Sequence, residues 1–270
     1  MYGCALTYAC ALALVVLIPF CGGGIDRPPI EDVSSEAVTY ETDDGVRIAA
    51  GWFPPPGITK PPVVILLHEE NGTRAQWNPL VGILVNEGYA VLVPDIRGHG
   101  ESTTVIRDGQ PEPYQFSGSA AEAMEDVKAA IDWLKGQGNV DTGRVAVIGA
   151  RLGAMMSYAS TAIFPEVRAA VSITPPPYLP NSLDPLYAAI PDFVSHDVFI
   201  MAGGRRQWEE SVTLGIRITY PKGRRYIETP DLEGVALLAN DEMIRDTLQF
   251  FEERVRSAAA TASATPSASN

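Results

Sequence analysis

The sequence predicts an α/β protein built on a mostly parallel sheet with helices on both faces. Three observations carry that reading. Continuous apolar runs such as Val63-Val64-Ile65-Leu66-Leu67 and Tyr89-Ala90-Val91-Leu92-Val93 have the pattern of strands buried on both faces. Segments with apolar residues at helical spacing lie between them. The two kinds of segment alternate regularly to residue 256, which implies right-handed crossovers and one α/β domain.

Taken in order, residues 37–53 form two alternating runs around Asp43-Asp44-Gly45, a hairpin whose glycine supplies the positive φ of the turn. Pro54-Pro55-Pro56-Gly57 ends it, and the buried strand at 63–67 follows. Residues 74–87 show helical spacing at Trp77, Leu80 and Leu84, with Gly88 as the stop. After the strand at 89–93 comes an amphipathic helix over 119–136 (Met124, Val127, Ile131, Leu134), with Gly136 near its end. A strand at 144–148, a small-residue helix at 152–163 and strands at 167–173, 198–201 and 225–227 continue the pattern. The closing helix spans 240–256. Residues 175–196 are too few for a separate lid domain and allow at most a short flap. The tail 257–270 is nearly all Ala, Ser and Thr and reads as disordered.

Composition narrows the function classes. A hydrophobic content of 46% supports a sizeable core in a chain of 270 residues. A net charge of −13 argues against nucleic acid or an anionic membrane surface as partner, because phosphates would repel it. All three cysteines (Cys4, Cys10, Cys21) precede residue 22, so the domain contains no thiol nucleophile and no thiolate metal site. No two of the three histidines fall at ligand spacing, and no metal or cofactor is expected.

Residues 4–20 are almost wholly apolar and uncharged, and Cys21-Gly22-Gly23-Gly24 follows. This reads as an export signal or a short anchor over 1–21, with 22–36 as linker and 37–256 as the domain. The cysteine ahead of a glycine tether resembles a bacterial lipoprotein signal, which makes Cys21 a candidate lipid-attachment site in the cell envelope. The residue before it is Phe20 rather than a small one, and no Lys or Arg precedes Arg27. An uncleaved anchor helix is the alternative.

Three segments carry a family likeness: Leu66-Leu67-His68-Glu69-Glu70-Asn71-Gly72, Pro94-Asp95-Ile96-Arg97-Gly98-His99-Gly100-Glu101-Ser102, and Val145-Ala146-Val147-Ile148-Gly149-Ala150-Arg151-Leu152-Gly153. Together the chain resembles the α/β-hydrolase superfamily, nearest its lysophospholipase-like and dienelactone-hydrolase-like branches, across roughly residues 37–256. The resemblance implies an α/β-hydrolase fold without a large lid domain. It also implies that His68, Glu69 and Leu152 stand at the oxyanion loops, and that residue 151 stands at the nucleophile of a Gly-x-Ser-x-Gly elbow. That residue is Arg151, a permanently protonated group that cannot act as a nucleophile.

The other triad positions differ as well. By the same resemblance the acid follows the strand at 198–201, where Gly204 and Arg205 stand, and the base precedes the last helix, where Glu233 stands. Ser157 and Ser160 lie too far into the helix after the elbow to replace the nucleophile, and His68 and His99 read as loop-orienting groups. Glu233 is the expected partner of Arg151, with Glu69 and Glu70 as second candidates. Such a pair is either a structural plug or part of an anion-binding pocket involving Arg205. Three functions therefore stay open: a non-catalytic exported protein binding a small molecule or protein, a hydrolase of esters or related acyl compounds with a rearranged site, and a structural lipoprotein.

Overall fold

The computed structural model describes residues 24–176, 197–203, 224–227, 232 and 234–257. Within them ten strands form one twisted sheet, ordered β10-β9-β8-β7-β3-β4-β2-β5-β6, with β1 also paired to β2. The strands are β1 Glu36–Glu41, β2 Val46–Phe53, β3 Pro62–Leu67, β4 Ala90–Pro94, β5 Thr104–Arg107, β6 Gln110–Pro113, β7 Asp141–Ala150, β8 Val167–Ile173, β9 Val198–Gly203 and β10 Arg224–Ile227. From β4 through β3, β7, β8 and β9 to β10 every pairing is parallel, and the antiparallel pairs lie at the β2 side. The expected mostly parallel sheet is therefore present.

Among the described residues four α-helices cover it: α1 Asn78–Asn86, α2 Ala120–Gln137, α3 Leu152–Ile163 and α4 Asp241–Phe251. One core cluster joins α2 and α3 to Val63, Ile65, Leu67 and Val145. The other joins α1 and α4 to the alternate residues Val64, Leu66, Ala146 and Ile148. This alternation is what a strand buried on both faces produces, and all six residues of β3 are buried.

Local signals explain most boundaries. Gly45 takes φ +84° in the β1–β2 turn. Ser119 caps α2 by accepting a hydrogen bond from the Glu122 amide, and Asn240 caps α4 by accepting one from Glu242. The helix over 74–87 begins with a 3-10 turn at Arg74–Trp77, and α4 runs into a π turn at Glu252–Arg256. Gly136 does not stop α2; Gly138, in the left-handed conformation, does. The β5–β6 hairpin is absent from the sequence expectation because Gln110-Pro111-Glu112-Pro113 is wholly exposed and has no apolar alternation to reveal it.

Candidate functional site

The elbow between β7 and α3 is fully formed. Arg151 has φ 50° and ψ −108°, a strained conformation for a side-chain-bearing residue. Its amide donates to the Ile173 carbonyl at 3.0 Å, and its carbonyl accepts from the Ala154 and Met155 amides. The flanking glycines are required by contact. A Cβ on Gly149 would overlap the Gly153 carbonyl oxygen, and one on Gly153 would overlap the Leu67 carbonyl and lie 2.8 Å from that of His68. Strand, turn and helix thus touch through backbone alone.

Arg151 meets a carboxylate. Its Nε lies 3.3 Å from Oε2 of Glu70, and the two side chains are 43% and 42% exposed. A partly hydrated pair of this kind contributes about 1 kcal/mol or less. The desolvation cost of the guanidinium is therefore small, because much of its side chain stays in water. Glu69 has turned elsewhere: its Oε1 accepts from the Val235 amide at 2.7 Å. That contact clips the β3 loop to the 3-10 helix Gly234–Ala239. Glu233, Arg205 and Gly204, named above as triad-equivalent positions, lie outside the described residues, as do Cys21 and the segment 177–196.

The loop after β3 is bonded within itself. The Glu69 amide donates to Oε1 of Gln76 at 3.3 Å. The same side chain fills the space in front of Gly72, where a Cβ would lie 2.6 Å from its Cδ. The amide of Glu69, a position expected at an oxyanion loop, is thus held by a side chain of the protein itself. Leu152, the other oxyanion-loop position, is buried at the first turn of α3. Gln76 was not indicated by sequence, since a loop-filling amide leaves no periodic or spacing signal. Thr174 was missed for a similar reason. It follows β8 directly, with φ 49°; its amide donates to the Met201 carbonyl, and its hydroxyl accepts from the Gly234 amide.

Both described histidines are committed to structure. His68 is buried; its Nε2 accepts from the Ile96 amide at 2.8 Å, so its Nδ1 donates to the Glu69 carbonyl at 2.7 Å. Burial holds its pKa down at about 4. His99 packs edge-on to His68, with its Nδ1 3.0 Å from the Arg97 carbonyl. Ser157 and Ser160 are buried, and donate to the Ala154 and Met156 carbonyls. Among the described residues no cluster of His, Cys, Asp or Glu could hold a metal ion.

An NMR titration of the imidazoles checks the His68 assignment, with a midpoint near pH 4 expected. The sign follows from linkage. A neutral folded histidine stabilises above the unfolded value of about 6.5 and loses that contribution as pH falls toward its folded value, roughly 3 kcal/mol in all. A midpoint at or above pH 6 would contradict the assignment.

The next loop is braced by a charge network. Arg97 is buried; its amide and Nε reach the buried Asp126 at 2.8 and 2.7 Å, and its terminal nitrogens reach Asp44 at 2.7 and 3.1 Å. Asp95 accepts from the Arg74 and Glu101 amides, at 2.7 and 3.0 Å, and is ion-paired to the Arg74 guanidinium. These contacts fix the loop after β4 beside His68, and so shape one wall of the site.

The comparisons agree with this architecture. The model of the dienelactone hydrolase family matches residues 48–210. An uncharacterised protein of Mycobacterium tuberculosis is 34% identical over 120 residues, 44% of this chain and 38% of its own length. The quorum-quenching protein AidA of Acinetobacter baumannii is 29% identical over 139 residues, 51% of this chain and 43% of its own. The chain thus spans less than half the length of these curated relatives. The Pyrococcus furiosus esterase Pf2001 superposes with a TM-score of 0.65 at 20% identity, covering 86% of this chain and 99% of its own, a likeness of fold alone. With more than half of its residues matched by the family model and its elbow and loops in place, the chain belongs to the dienelactone hydrolase family, within the α/β-hydrolase superfamily.

Proposed function

We propose that this is an exported, membrane-tethered pseudo-hydrolase that binds an anionic ligand at the former catalytic mouth without turning it over. The observation that carries the reading is Arg151 on an otherwise intact elbow. The Glu69 amide held by Gln76 and the two histidines spent on loop contacts support it. A guanidinium at the mouth offers charge-assisted, bidentate recognition of a carboxylate or phosphate. The ligand is a small molecule, or an acidic group on a partner protein.

Thermal unfolding in the presence of acetate, citrate and phosphate tests this. A stabilising shift by one of these anions, lost in Arg151→Ala, is the expected result. No shift with any of them would count against the binding reading. The second reading, a hydrolase of esters with a rearranged site, draws on the relatives named as esterases, among them the probable acetylxylan esterase A of Aspergillus fumigatus. Turnover of short p-nitrophenyl esters separates the two. Arg151→Ser is expected to remain inactive, because among the described residues a restored hydroxyl finds no base: His68 and His99 are both held by their loops. Turnover in that variant would show that a base survives.

A further inference from the structure

The residues immediately after the apolar N-terminal segment do not hang free. The Ile25 amide donates to Asp241 at 3.2 Å. Arg27 reaches the Leu238 carbonyl at 3.1 Å and pairs with Asp241 at 2.6 Å. Pro28 lies on Gly82 of α1, where a Cβ would come within 2.8 Å of the proline ring and its carbonyl. Ile25, Ile30 and Val33 pack onto the core cluster beneath α1 and α4. Residues 24–33 thus form a strap bound to the domain, and its hold is polar at one end and apolar at the other.

The strap borders a half-open, mainly apolar groove of about 430 Å³, lined by Arg27, Pro79, Leu80, Val235, Ala236 and Leu238 among others. The 3-10 helix Gly234–Ala239 joins this groove to the candidate site. The Val235 amide in its first turn donates to Glu69, and its last carbonyls accept from Arg27.

We propose that the strap holds the domain with this groove against the lipid bilayer, so that the former catalytic mouth stands at the membrane–water interface. The proposal rests on the tethered reading of residues 1–21. From Cys21 to the docked Gly24 the chain can span only about 10 Å. That is shorter than the radius of gyration of a domain this size, roughly 17 Å, so the strap side cannot turn away from the anchor. The Glu69 and Arg27 contacts of the 3-10 helix, at Val235 and at Leu238 and Ala239, are separated by about 8 Å, which places the mouth close to the same surface. The negative charge of the chain makes a zwitterionic bilayer the fitting partner.

The test uses the full chain, recovered with membranes and placed in phosphatidylcholine vesicles. The photo-crosslinking residue p-benzoylphenylalanine replaces Ala236 in the groove, or Gln137 at the exposed end of α2 on the opposite face of the sheet. Several-fold more lipid adduct is expected at 236 than at 137. An insert of about twelve Gly and Ser residues before Gly24, with a reach of roughly 40 Å, should reduce the adduct at 236 to the level at 137. Equal adducts at the two positions, indifference to the insert, or a protein that does not partition with membranes would overturn the proposal. The readout is position and not activity, so turnover by the site would defeat the pseudo-hydrolase reading and leave this one standing.

Discussion

Gly149→Ala is expected to cost about 3 kcal/mol or more, a large fraction of the roughly 5–15 kcal/mol that holds a typical domain folded. The added methyl would overlap the Gly153 carbonyl oxygen, and the Ala154 amide would lie 2.8 Å away. Neither neighbour is a flexible side chain. Both belong to the first turn of α3, which packs against β7 and β8 and against α2. Relief requires lifting the helix from the sheet and opening the core between them. Gly136→Ala supplies the control. That glycine lies inside α2, has nothing within 4 Å of its would-be Cβ, and should gain up to about 1 kcal/mol on substitution. Urea unfolding of both variants reads the difference. A cost below about 1 kcal/mol for Gly149→Ala would mean that the elbow is not packed as described.

Arg97→Met should destabilise by about 3–5 kcal/mol, since it removes one partner of a buried ion pair and leaves the other uncompensated. Burial already pushes the Asp126 carboxyl up, to about 7, against the pull of the Arg97 charge. Without that charge it rises further. A carboxyl with a raised folded-state pKa favours the folded form below its unfolded value and loses that contribution as pH climbs. The penalty in Arg97→Met should therefore be smaller near pH 5 than at pH 8, and adding Asp126→Asn should recover part of it. A pH-independent penalty would place the loss in packing and not in charge.

The contrast between these two sites shows what a sequence can carry. The elbow was legible because backbone contact at Gly149 and Gly153 forces residue type at fixed spacing. The sheet was legible because strands buried on both faces are written as unbroken apolar runs. The Arg97–Asp126 pair was not, because its partner stands on α2, twenty-nine residues along the chain, where a helical Asp reads as surface. The choice between Glu69 and Glu70 as a partner of Arg151 was equally closed to sequence. Adjacent glutamates on one loop diverge, and only the fold decides that Glu70 faces the guanidinium while Glu69 clips the 3-10 helix. Gln76 in front of the Glu69 amide belongs to the same class: a single tertiary hydrogen bond with no local signature.

The costly parts of a hydrolase scaffold, the strained turn and the close-packed glycines, are still present. What differs from the hydrolase pattern in the described elbow is the residue at its tip, Arg151. The turn forms around it because the elbow rests on backbone contacts at Gly149 and Gly153.

The most direct measurement is intact mass after incubation of the purified protein with a fluorophosphonate, run beside an active serine esterase. An unmodified mass is the result predicted for a site whose tip is Arg151. A covalent adduct that maps to a serine of this chain, and disappears when that serine is replaced by alanine, would contradict the account and restore the protein to the hydrolases.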